Sequence, residues 1–358
     1  MMTTPIRFAV IGTGYRARLF FAVAAALDDV FEVSAVLPHH PLNERDRRSI
    51  AVPVARDLDE LLASGPSFVL TAVGHDATPQ LLRELVDRDI RVLAETPPAP
   101  DAGSLRALWN DVGSSRLVQV AEQYPRHPMT AARASAVGAG LIGTPTSALV
   151  SMTQTYHAVA IIRSLLGMGR VGAVVDARTH TAPLVSPFSR AGWTGDGQEH
   201  PTRTTVATID FGDAIGRYDF TDGQTRNPLR ASQVVVRGSR GEIVDDSLTR
   251  LVDDTTVVTS AFERRQLGLH RDFEIPTLDQ ISYEGSVLYR NPYPLARLSD
   301  EELAMAELLR DTGRWAVGDG PEPYPLAEAS HDQLLGLAIT RAATTSETVR
   351  VGREAWSE

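Results

Sequence analysis

Gly12-Thr13-Gly14-Tyr15-Arg16-Ala17 is the first stretch of the chain whose residue types and spacing could do chemistry. A glycine at 12 permits a tight turn, and one at 14 lets the backbone approach a pyrophosphate. A small residue at 17 keeps the following helix close to the preceding strand. A helix opening here would offer free N–H groups and a positive dipole end to phosphate oxygens. The same spacing also fits a plain strand-to-helix turn, so context has to decide. The second such stretch is "RVLAETPPAP", residues 91–100, where an apolar run gives way to an acid, a hydroxyl and two prolines. Proline lacks an N–H, so a sheet ladder stops there, and Glu95 and Thr96 stand where a strand would emerge.

Composition closes several other chemistries. The 358 residues contain no cysteine, which excludes disulfides, thiol catalysis and thiolate metal sites. All 35 basic residues are arginine, so no lysine is present to act as a base or form a Schiff base. A net charge of −10 argues against nucleic acid as a partner. The longest apolar runs, such as "LFFAVAAAL", fall short of the roughly 20 residues of a membrane span. With no basic segment leading into a cleavable apolar one, a cytoplasmic location is expected. No HExxH, GxSxG or phosphate-loop signature occurs, and no metal site is expected; "DFGD" at 210–213 fits a hairpin turn.

The elements that would position these residues alternate. "IRFAVI" (6–11), "FEVSAVL" (31–37), "PSFVLTAV" (66–73) and "IRVLAE" (90–95) read as strands. "RARLFFAVAAAL", "ARDLDELLAS" (55–64) and "TPQLLRELVDRD" (78–89) read as the helices between them. Such alternation predicts an α/β domain, a parallel sheet covered by helices, with ligands at the carboxyl ends of its strands. That crevice would collect Gly12, Thr13, Gly14, Tyr15 and Arg16 with Ala72, Val73, Gly74, Thr78, Glu95 and Thr96. An acid for a ribose 2′-hydroxyl belongs about 20 residues beyond the glycines. Leu37, Pro38, His39 and His40 stand there instead, with Arg45, Arg47 and Arg48 nearby. His39 is taken as a cofactor neighbour. The arginines fit a 2′-phosphate or a solvated loop face, so NAD and NADP both stay open.

From about residue 123 the pattern changes. Helices near 128–138 and 157–166 are followed by short β-rich runs over 170–294, separated by glycine and aspartate turns. The expected division is a Rossmann dinucleotide-binding domain over 1–122 and an α+β domain over 123–358 with a large, mainly antiparallel sheet. Residues 186–201 read as a loop long enough to form part of a lid. A C-terminal amphipathic helix over 330–345 puts Leu334, Leu335, Ala338 and Ile339 on one face and could pack back toward the first domain.

"AVIGTGYRA", "VLAETPPAP", "AEQYPRHP" (121–128), "GAGLIGTP" (138–145), "YHAVAIIRSLLG" (156–167), "VVVRGSRGEI" (234–243) and "YPLAEASHDQLLGLAI" (324–339) occur in this order across nearly the whole chain. Together they resemble the Gfo/Idh/MocA oxidoreductases, which include glucose–fructose oxidoreductase and inositol dehydrogenase. The resemblance implies an NAD(P)-dependent oxidoreductase acting on a secondary hydroxyl or ketone of a sugar, cyclitol or related polyol. His157 would be the main acid/base, with Tyr156 and Thr96 as further catalytic candidates. Tyr124, Arg126, Thr153, Tyr156 and His157 would meet the substrate. It also implies a homodimer or homotetramer and a cis bond before Pro97. Three positions depart from the family pattern: Thr96 replaces the lysine of Glu-Lys-Pro, and Thr153 and Ala160 replace aspartates. These departures keep two alternatives in view, an NAD-dependent glycosidase or lyase using transient sugar oxidation and a non-catalytic dinucleotide-binding sensor.

Overall fold

The structure is a computed structural model that describes residues 4–42, 50–268 and 276–357. Strand β1 (Ile6–Ile11) leads directly into helix α1 (Tyr15–Ala26), whose Ala17, Phe20, Val23 and Ala24 form a buried stripe at helical spacing. There follow β2 (Phe31–Leu37), α2 (Leu58–Ala63), β3 (Phe68–Thr71), α3 (Thr78–Asp87), β4 (Val92–Ala94), α4 (Ala102–Val112) and β5 (Val118–Val120). The five strands form one sheet in the order β2-β1-β3-β4-β5, and each pair is parallel. A single parallel rung between Val36 and Val54 extends the β2 edge. With that rung counted, the strand order is the usual dinucleotide-binding one, and it reverses between β1 and β3.

These elements belong to the first of two compact units, which comprises Met1–Pro128, Gln266–Asp279 and Asn291–Ser330. Its later residues contribute α7 (Asp300–Ala316), which packs on α1, β1 and β3. Ser299 and Glu302 begin α7 with a reciprocal capping box. Met305, Ala306, Leu308 and Leu309 then join Phe8, Phe20, Phe31 and Phe68 in one core. Gly313 lets α7 lie close to the sheet: a Cβ there would come within 2.4 Å of the Ile6 side chain.

The second unit comprises Met129–Arg265, Gln280–Arg290 and His331–Glu358. Helix α5 (Pro128–Gly138) precedes β6 (Pro145–Ser151), and α6 (Thr155–Leu166) follows it. The unit is built on a nine-stranded sheet that includes β6, β7 (Ala173–Val185), β10 (Glu199–Asp210), β11 (Ile215–Thr221), β12 (Gln233–Gly238) and the edge strand β15 (Val257–Ala261). Its pairs are antiparallel except β6 with β11, so those two strands end at the same rim. α6 packs on both of them, and Gly216 makes room for the Ile162 side chain. α8 (Leu326–Thr345) supplies the unit's other long helical segment from His331 onward.

Residues 186–201, expected as a loop, instead carry a small hairpin of β8 (Phe188–Ser189) and β9 (Gly192–Trp193) at the tip of the β7–β10 ribbon, and from Glu199 onward they already belong to β10. The "DFGD" stretch is the β10–β11 turn, with Gly212 at φ +90°. Among the described residues no helix is long and apolar enough to cross a membrane.

Candidate functional site

In the first unit, Gly12 sits where the strand order reverses. Its N–H bonds the Leu37 carbonyl at 2.8 Å, while the Ala72 N–H bonds the Ile11 carbonyl at 2.8 Å. Gly12 has φ +112°, and a Cβ there would lie 2.3 Å from the Ala72 oxygen. Only glycine satisfies both conditions. Gly14 and Gly74 are different, because a Cβ at either would meet nothing within 4 Å. Gly14 is the N-cap of α1, which starts with no side-chain cap and no acidic residue in its first turn. Its first N–H groups and dipole end therefore carry no built-in anion.

The other expected crevice residues arrange themselves around this turn. Ala17 is fully buried under α1, as close helix–strand packing requires. Tyr15 is half exposed, and the Thr13 carbonyl accepts from the Arg18 guanidinium at 3.3 Å. Val73 and Gly74 lead from β3 toward α3, where buried Thr78 donates its hydroxyl to the Gly74 carbonyl at 3.2 Å. Glu95 extends β4 by one bond, its N–H donating to the Thr71 carbonyl at 2.9 Å. The Thr96–Pro97 bond is cis, as the family resemblance implies.

The Arg16 side chain turns to this strand end. Its Nε lies 2.9 Å from Glu95 Oε1, one terminal nitrogen 3.1 Å from Glu301 Oε1, and the other 3.2 Å from Gln123 Oε1. Glu95 is nearly buried. Burial works against the Arg16 charge, yet the Glu95 and Glu301 carboxylates raise its pKa above the ordinary value. Sequence reading names Arg16 and Glu95 separately and misses Gln123 and Glu301; the capping-box spacing of Ser299 and Glu302 was the available clue to α7.

Past the tip of β2, Leu37, Pro38, His39, His40, Val54 and Arg56 line a cavity of about 680 Å³. The two imidazoles meet edge to face with centroids 4.7 Å apart, and Arg56 Nε lies 2.9 Å from Glu60. Among the described residues, no carboxylate lines this cavity. Arg45, Arg47 and Arg48 lie outside the described residues. Two further expected substrate residues are in this unit. Tyr124 stacks on His127 at 4.9 Å, while Arg126 pairs with Asp311 at 2.5 Å and donates to the Pro323 carbonyl at 3.1 Å.

The second unit carries Thr153, Tyr156 and His157 at the start of α6. Thr153 and Tyr156 are buried and His157 is partly exposed, its ring edge-on to Tyr156 at 5.2 Å. Ala160 is buried too, so the missing aspartate is replaced by packing. Two contacts fix this turn. Gly336 of α8 lies against it, where a Cβ would be 3.5 Å from the Tyr156 nitrogen. Two turns along α6, Arg163 pairs with Asp332 at 2.5 Å with almost no exposure of either side chain. Gln224, also buried, donates to the carbonyl and hydroxyl of Ser151 at 3.0 Å each and accepts from the Thr221 N–H at 3.0 Å. A polar cavity of about 340 Å³ opens beside Gln154 and Thr155, with Thr179, Thr205, Tyr218 and the Arg203–Asp222 pair in its wall. Burial, with Asp222 and Asp219 nearby, pushes the Tyr218 hydroxyl well above its usual pKa. Among the described residues no group of three or more His, Asp or Glu side chains could hold a metal ion.

The first-unit crevice fits a dinucleotide. The bare Cα of Gly12 is required by the Ala72 carbonyl, whereas nothing in the packing requires the bare Cα of Gly14 beside the uncapped turn of α1. Open glycine backbone next to unneutralised N–H groups is what a pyrophosphate needs. Comparison with known proteins agrees. Residues 6–121 match the model of the Gfo/Idh/MocA oxidoreductase family, NAD-binding Rossmann fold. No curated protein matches the chain in sequence. Among solved structures, levoglucosan dehydrogenase in complex with NADH and levoglucosan is 17% identical with a TM-score of 0.68, covering 97% of this chain and 100% of that one. A myo-inositol dehydrogenase from Corynebacterium glutamicum is 15% identical with a TM-score of 0.65, covering 98% and 100%. An oxidoreductase from Agrobacterium radiobacter, in complex with NAD+, L-tartaric acid and magnesium, is 17% identical with a TM-score of 0.67, covering 97% and 98%. At these identities the likeness is one of fold.

Proposed function

We propose that this chain, whose residues 6–121 match the NAD-binding Rossmann model of the Gfo/Idh/MocA oxidoreductase family, oxidises a secondary hydroxyl of a sugar, cyclitol or related polyol, or reduces the matching ketone. The observation that carries the reading is the Gly12–Ala72 contact, which builds a phosphate cradle where the strand order reverses. When bound, the nicotinamide supplies the hydride acceptor. The chain's own residues do the rest. The turn of Gly12 to Gly14 and the first N–H groups of α1 hold the pyrophosphate, and Ala17 lets that helix stay close. His157 takes the hydroxyl proton on oxidation and returns it on reduction, a role an imidazole can fill as base and as acid. With no lysine in the chain, this proton transfer needs no amine. Tyr156 and Thr153, beside His157 in the second unit, serve there as a hydroxyl partner and as packing.

The substrate class draws support from two sources. Solved proteins of this fold include dehydrogenases of levoglucosan and of myo-inositol. The second unit's own cavity beside Gln154 and Thr155 has hydroxyls and one balanced ion pair in its wall, alongside apolar Phe220, Ile339 and Ala343. Such a wall offers many hydrogen bonds and little net charge, which suits a neutral polyhydroxylated ligand.

The test is turnover of NAD and NADP with a panel of sugars and polyols, followed as reduced nicotinamide. His157→Ala should lower turnover by about 10²–10⁴-fold with thermal unfolding unchanged. Full activity in that variant removes His157 from the mechanism. Cleavage of a glycoside without net reduced nicotinamide would instead favour the redox-assisted lyase.

A further inference from the structure

The geometry points to Arg16 as a positioning residue for the dinucleotide: its guanidinium neutralises the Glu95 carboxylate within the phosphate crevice and ties it to the first turn of α1. This inference rests on the dinucleotide-binding reading above and deepens it. The location is an unfavourable one for a cation. Arg16 is the second residue of α1, where the helix dipole repels positive charge, and its side chain is three-quarters buried. What holds the charge there is a pair of carboxylates, Glu95 at 2.9 Å and Glu301 at 3.1 Å, with the Gln123 amide oxygen at 3.2 Å.

The dependence runs in the other direction as well. Glu95 has only a tenth of its side chain exposed, so water does little to screen it. The dinucleotide brings two phosphate charges to the same helix turn that Arg16 begins. Left unpaired, a buried carboxylate at 95 would repel them and would itself resist ionising. The guanidinium also reaches three separate places, the end of β4, the segment after β5 and the first turn of α7. A planar fork spreads its donors toward separate acceptors, whereas an ammonium gathers its three donors at one point. Three pieces of chain are thereby registered to the glycine turn. The Arg16 backbone stays with the cradle while its side chain serves the carboxylate.

The experiment is a fluorescence titration of NADH into the full-length protein, with Arg16→Met, Arg16→Lys and the double variant Arg16→Met/Glu95→Gln. Arg16→Met should raise the NADH Kd about tenfold. Adding Glu95→Gln to Arg16→Met should bring the Kd back to within about threefold of the parent protein. Arg16→Lys, with the charge but not the fork, should fall between the parent and Arg16→Met. Unchanged affinity in Arg16→Met, or a double variant as weak as the single, overturns the inference. If Arg16→Met does not fold, the double variant decides alone: a Kd within about threefold upholds the inference and a tenfold loss overturns it. A parent protein that binds no NADH overturns both this inference and the reading beneath it. A parent that binds while Arg16→Met matches it removes only this inference.

Discussion

Two arginines in this chain are each bound by carboxylates, and they do opposite kinds of work. Arg163 and Asp332 are sealed between α6 and α8 in the second unit, with side-chain exposures of 4% and 0%. Arg16 in the first unit keeps a quarter of its side chain exposed and divides its donors among Glu95, Glu301 and Gln123. The sealed pair joins two helices away from solvent. The open cluster stands beside the glycine turn proposed to hold the pyrophosphate, so its net charge would be felt by a ligand bound there. Burial thus separates an ion pair that maintains a fold from one that conditions a site.

That contrast breaks most sharply at Asp332. Asp332→Asn leaves the Arg163 charge buried without its carboxylate and should cost about 3–5 kcal/mol in urea unfolding, while Arg163→Met/Asp332→Leu should cost far less. A loss below 1 kcal/mol for the single change would show that water reaches the pair. A smaller effect sharpens the account of the first unit. Ser299→Ala removes the cap of α7, the helix that brings Glu301 to Arg16, and should cost about 1 kcal/mol by the same measurement. NADH affinity should fall with it, because the first turn of α7 frays beside the cluster. The smallest effect belongs to the surface. Arg237→Gln breaks the exposed pair with Glu242, 3.0 Å apart, and should change stability by less than about 1 kcal/mol. A larger loss there would mean that exposure does not sort these pairs as described.

The sequence makes some of this legible and conceals the rest for physical reasons. The glycine turn and the strand stop at Thr96–Pro97 are local, because each depends on what a few neighbouring residues allow the backbone to do. The alternation that builds β1 to β4 is equally visible, since buried parallel strands read as continuous apolar runs. Helix α7 escapes a reading that follows alternation, although Ser299 and Glu302 announce its start. Strand β6 escapes because "PTSALVS" is short and half polar, so its parallel match with β11 leaves no periodic trace. The ion pairs are hidden more thoroughly. Arg16 and Glu95 are 79 residues apart, and Arg163 and Asp332 are 169 apart. Charge alone does not say which of 35 arginines meets which acid. The family resemblance supplies the place of His157, whereas the Gly336 and Gln224 contacts that steady its surroundings appear only once the chain is folded.

The parallel match of β6 with β11 has an evolutionary consequence. Both strands deliver their following segments to one rim, and Gln224 pins the segment after β11 to Ser151, the last residue of β6. Changes of length or composition between Asp222 and Ala231 would therefore be transmitted through Gln224 to the segment that leads into the His157 turn. A lineage diversifying its substrates would find an economical lever in that short connection, so long as Gln224 keeps its hold on Ser151.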